Sequence, residues 1–104
     1  MYKAYQYESD EKTRFLQTAV TATEKEVSPP GKWKVRHFKN VTAAPNTTII
    51  SLTFGSSSAI AGAGVVLYPG DSVTESISEG YIPYRGTIRA IGSDANGLLA
   101  IFER

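Results

Sequence analysis

His37 is the single histidine of a 104-residue chain that contains no cysteine. Ser–His and Cys–His nucleophiles need a supporting pattern around the imidazole, and thiolate metal sites need cysteine, so neither finds its residues here. His37 reads as a strand residue at a bulge or an edge. Carboxylate pairs are the next source of chemistry, because two at a fixed separation can hydrolyse a glycosidic bond. Asp71 with Glu75, and Glu75 with Glu79, are the pairs to consider, but glutamates on a strand form a solvated face unless something sets their separation. No Asp-x-Asp-x-Asp-Gly calcium loop is present. Gly62-Ala-Gly64 is followed by no helix that would aim N–H groups at a phosphate, and reads as a flexible connection. The residues therefore assign no catalytic group, no metal ligand and no cofactor.

Aromatic side chains next to arginine point to adhesion instead. Tyr81, Tyr84 and Arg85 stand in Glu79-Gly-Tyr-Ile-Pro-Tyr-Arg-Gly86, a glycine-bounded loop. Such a loop either presents a binding hot spot, for a protein or a sugar ring, or folds back to plug the end of a sandwich. Tyr2, Tyr5 and Tyr7 precede the polar run Glu8-Ser-Asp-Glu-Lys12. This stretch is either a frayed terminus or an arm whose tyrosines lie on a neighbouring subunit. Tyr2, Tyr5, Tyr7, Tyr81, Tyr84 and Arg85 are the candidate interface residues.

The elements that must position these residues are strands. Residues 1–12 form the arm, and 13–104 one domain. Arg14 to Val20 is rich in β-formers, and Ser28-Pro-Pro-Gly31 then breaks the chain. Lys32 to Phe38 alternates, with Trp33 and Val35 on the core face and Lys34 and Arg36 on the wet one. Phe38 falls out of phase with Trp33, so a bulge is expected near His37. Thr47 to Phe54, Val65 to Tyr68, the alternating run from Val73 to Ser78, Thr87 to Ile91 and Leu98 to Phe102 follow as strands. Residues 59–64 read equally as loop or strand. Pro69-Gly-Asp-Ser72 reads as a turn, and Ser93-Asp-Ala-Asn-Gly97 as a hairpin connection. No segment has a 3.6-residue period. Seven or eight short strands with turns every 8–12 residues predict an all-β fold, an antiparallel β-sandwich or jelly roll. Trp33, Val35, Ile50, Leu52, Phe54, Val65, Leu67, Ile88 and Ile101 are the expected core.

Composition agrees with a globular domain: 41% hydrophobic, 20% charged and a net charge of +1. That charge is too small to argue for nucleic acid or a membrane, and neither is expected as a partner. Residues 1–40 hold eight Lys or Arg against five acids, with the excess at Lys32, Lys34, Arg36 and Lys39, read as a solvated strand face. The opening residues contain no apolar signal-peptide region, and no stretch is long enough for a membrane helix.

Val65-Val-Leu-Tyr-Pro-Gly-Asp-Ser-Val73, Gly80-Tyr-Ile-Pro-Tyr-Arg-Gly-Thr-Ile-Arg-Ala-Ile91 and Asn96-Gly-Leu-Leu-Ala-Ile-Phe-Glu-Arg104 together resemble the C-terminal half of small β-sandwich virion proteins of tailed bacteriophages. The resemblance covers residues 65–104, loosely 32–54, and not the arm. It implies a capsid decoration or cement protein, or a neck or tail component. It also implies location in the virion after synthesis in the host cytoplasm. The partners would be the major capsid protein or other virion proteins, and the chain would be a homo-oligomer, often a trimer in such proteins. A carbohydrate-binding module, with Tyr81, Tyr84 and Trp33 as stacking platforms, is the alternative.

Overall fold

The computed structural model describes residues 13–55, 57–77 and 82–104. Their elements are eight strands: β1 (Arg14–Val20), β2 (Lys25–Ser28), β3 (Val35–Asn40), β4 (Ile50–Phe54), β5 (Val65–Leu67), β6 (Ser72–Ser76), β7 (Ile88–Gly92) and β8 (Gly97–Glu103). They form two four-stranded sheets in the orders β1-β8-β3-β6 and β2-β7-β4-β5. β1 pairs with β8, β2 with β7, β3 with β6 and β4 with β5, all antiparallel. The chain is thus one long hairpin, rolled so that β8 also meets β3 and β7 also meets β4. That is the jelly-roll order, and the expected all-β sandwich is what the chain forms.

Alternation explains which side chains go inside. In the first sheet Leu16, Val20, Phe38, Leu99 and Ile101 turn inward, and in the second Ile50, Leu52, Leu67, Ile88 and Ala90 face them. Phe54 and Val65 pack against this core, as expected. Trp33 and Val35 do not join it. Trp33 precedes β3 and lies over Gly31, where an added Cβ would come 2.6 Å from its Nε1. The inward residues of β3 are Arg36, Phe38 and Asn40. β3 runs in unbroken register against both neighbours, so the bulge expected at His37 is absent. The register shift among the strand pairs lies instead between Glu26 and Ser28 of β2, a strand too short and polar to stand out in the sequence.

Two turn expectations resolve differently. Pro69-Gly70 is a turn, with Gly70 at φ 93°, a conformation open to glycine. Ser93–Gly97 is not a hairpin: β7 and β8 belong to different sheets, so this connection carries the chain across the sandwich. Gly97 is needed there for space, since a Cβ would meet the Val20 carbonyl at 2.6 Å. Residues 59–64 are loop, and Gly62 N–H donates to Ser51 Oγ at 2.9 Å, laying that loop on the outer side of β4.

Candidate binding surface

The strand directions gather the β2–β3, β4–β5 and β6–β7 connections at one end of the sandwich, where Thr13 also enters β1. This end holds Tyr84 and Arg85. Tyr2, Tyr5, Tyr7 and Tyr81 lie outside the described residues.

An ionic row inside the first sheet supports this end. Across its four strands the register brings Arg14 beside Glu103, Glu103 beside Arg36, and Arg36 beside Glu75. Each of these residues is in phase with the core residues of its own strand. Arg36 and Glu103 are fully buried. Every N–H of the Arg36 guanidinium has an acceptor. Nε donates to Glu103 Oε2 at 2.7 Å, Nη1 to the carbonyls of Tyr84 and Gly86 at 2.6 and 2.8 Å, and Nη2 to Ser28 Oγ and the Pro29 carbonyl at 2.9 and 3.0 Å. Glu103 also accepts from Arg14 Nη1 and from Ser28 Oγ. A buried charge is tolerable when it is paired and its hydrogen bonds are filled, and both conditions hold. The row places Arg36 in the core and not on the wet face that alternation with Trp33 predicts.

The row also fixes the loops above it. Arg36 holds the 82–86 loop by two carbonyls, and Glu75 Oε1 accepts from the Tyr84 N–H at 2.6 Å. Gly31 N–H donates to the Arg85 carbonyl, Lys34 N–H to the Arg104 carbonyl and Ile77 N–H to the Lys34 carbonyl. The half-buried Tyr84 ring lies 5.6 Å from the Phe54 ring, with the Arg36 guanidinium 5.9 Å from its centroid. Of the two readings of this loop, plug or hot spot, Tyr84 takes the plug. Arg85 stays exposed.

What this end presents outward is cationic and apolar. Lys32, Lys34 and Arg85 are exposed, as are Ile77 at 52% and Ile82 at 63%. Among the described residues its three connections contain no Asp or Glu. The opposite end is the reverse: its connections carry Glu24, Asp71 and Asp94 and no Lys or Arg. Arg89 pairs with Glu24 and holds that carboxyl below its ordinary value. Thr48 Oγ1 and the Asn96 N–H do the same for Asp94. Asp71 and Glu75 therefore sit at opposite ends of β6 and form no catalytic pair, while Glu79 lies outside the described residues.

A second surface, which carries none of the residues expected at an interface, is the outer side of the first sheet. Phe15, Phe102, His37 and Thr74 form one cross-strand row, and Gln17, Ala100, Lys39 and Ser72 the next. Phe15 is 81% exposed, and its ring meets Phe102 edge-on at 5.8 Å. With Val35 and Ala100 these rings wall an open groove of about 450 Å³. His37 lines it, its Nδ1 sharing a hydrogen with Thr74 Oγ1 at 2.7 Å. Period-two parity of Phe15, Val35 and Phe102 was the signal that locates this groove.

No family model, no curated protein and no solved structure matches the chain.

Proposed function

We propose that this chain is a non-enzymatic structural protein of a tailed-phage virion, a decoration or cement protein that binds and stabilises the assembled head. The observation that carries the binding part is the loop end, where Lys32, Lys34 and Arg85 are exposed at the same end as Ile77 and Ile82, on a base held by Arg36 and Glu103. A pre-formed surface loses little freedom on docking, and its charge suits an acidic, partly apolar site on the major capsid protein. The choice of a phage head rests on the resemblance of residues 65–104. Binding only the assembled state stabilises it by linkage, and many copies strengthen weak single contacts. The carbohydrate-binding alternative asks Tyr84 for a free ring face, and that ring is packed against Phe54 and Arg36.

The test is co-sedimentation with heads lacking the protein. The native chain is expected to bind, and K32E/K34E/R85E to lose binding while keeping its melting temperature. No binding of the native chain to bare heads, or a low copy number confined to necks or tails, overturns decoration.

A further inference from the structure

Asparagine carries an electrophile within reach of its own backbone. The main-chain nitrogen of the following residue can attack the side-chain amide carbon, and the attack is least hindered when that residue has no side chain. The chain has three asparagines, at positions 40, 46 and 96, and the structure treats each differently. Asn40 is fully buried. Its Nδ2 donates to the carbonyls of Thr48 and Leu67, both at 2.9 Å, and its Oδ1 accepts from the Thr42 N–H at 3.0 Å. The nitrogen that would attack it is also engaged, since the Val41 N–H donates to the Leu98 carbonyl. Asn46 is exposed, but Thr47 follows it, and a β-branched side chain crowds and stiffens the backbone that must turn. Asn96 is exposed and is followed by Gly97.

The fold imposes half of this last pair. Gly97 begins β8 opposite Val20, and an added Cβ would meet the Val20 carbonyl at 2.6 Å, so the position requires glycine. Asn96 is under no such demand. Its backbone N–H donates to Asp94 Oδ1 at 2.9 Å, while its side-chain amide has no hydrogen-bond partner among the described residues.

We propose that Asn96 is a self-modification site, converted to aspartate and isoaspartate by attack of the Gly97 nitrogen. That nitrogen gives up its proton and bonds to Asn96 Cγ, the Cγ–Nδ2 bond breaks, and ammonia leaves. Water then opens the resulting imide ring. Opening at the side-chain carbonyl gives aspartate, and opening at the backbone carbonyl gives isoaspartate, whose main chain runs through Cβ and Cγ. The net change is one water taken up and one ammonia released, with no other reactant. Either product adds a carboxylate beside Asp94, at the end that already holds Glu24 and Asp71, and takes the formal net charge from +1 to zero. The cationic end lies at the far side of the sandwich, so the modification is independent of the head-decoration reading.

The experiment is incubation of the full chain at mildly alkaline pH, which favours loss of the Gly97 N–H proton. Mass spectrometry of its proteolytic peptides, with fragmentation that separates the two isomers, then reads each asparagine. Asn96 is expected to convert, mostly to isoaspartate, while Asn40 and Asn46 remain amides. Isoelectric focusing should show one new band, shifted by a single negative charge, and Asn96→Ser should not form it. Three outcomes overturn the proposal: Asn96 keeping its amide, Asn46 converting as fast as Asn96, and the same acidic band growing at the same rate in Asn96→Ser.

Discussion

Arg36 and Glu103 decide what the inside of this sandwich tolerates. A guanidinium with all five N–H groups accepted, against a carboxylate that also holds Arg14 and Ser28, is an ionic cluster at the margin of an apolar core. Removing one partner leaves the other charge buried, which costs about 3–5 kcal/mol. Arg36→Met should therefore lower stability by about that amount in urea denaturation and loosen the 82–86 loop. A loss under about 1 kcal/mol would mean that the row is dispensable. The sequence did contain the signal. Arg14 is in phase with Leu16 and Val20, Glu103 with Leu99 and Ile101, and Arg36 with Phe38. Taking Trp33 as the phase marker hid it, because Trp33 lies before β3 begins. Tyr84 was legible as a loop aromatic, but whether its ring faced in or out depended on Phe54 and Arg36, which are distant in sequence.

Connections between strands govern the next scale. Turn residues at 69–72 and 93–97 show that the chain reverses, and they are local chemistry. They do not say whether the next strand joins the same sheet or the opposite one. Both of these connections cross the sandwich. At the far end the β3–β4 and β7–β8 connections are tied by Thr48 Oγ1 donating to Asp94. That hydrogen bond, with a second from the Asn96 N–H, holds the Asp94 carboxyl below its ordinary value of 3.8. A carboxyl whose pKa is lowered by folding stabilises the fold above its unfolded pKa, and that contribution fades as pH falls through the lowered value. Thr48→Val should thus be destabilising at pH 7, and the gap from the native chain should narrow below pH 3.8. Thermal melts of both proteins across that range check it, and a pH-independent gap would assign the effect to packing.

Among the described residues the charge is polarised along the strands. The described residues of the connections at one end include Lys32, Lys34 and Arg85, and those at the other Glu24, Asp71 and Asp94, although the net charge is only +1. A patch interacts with an opposite surface more strongly than the same charge spread out. K32Q/K34Q should therefore elute from a cation exchanger at lower salt than K25Q/K39Q, which changes the net charge equally. Equal elution would show that the clustering has no effect.

The sequence by itself determined the all-β class, most strand positions and the apolar residues of β4, β7 and β8, because alternation and turn chemistry act over a few residues. It also located the segments that carry tyrosine and lysine. Only the tertiary structure decided that β1 meets β8, that Arg36 is buried and that Phe15 is bared beside Phe102. Those outcomes follow from pairing between strands up to 89 residues apart. A strand's pattern tells which of its residues share a face. Which face is covered is set by the sheet it joins.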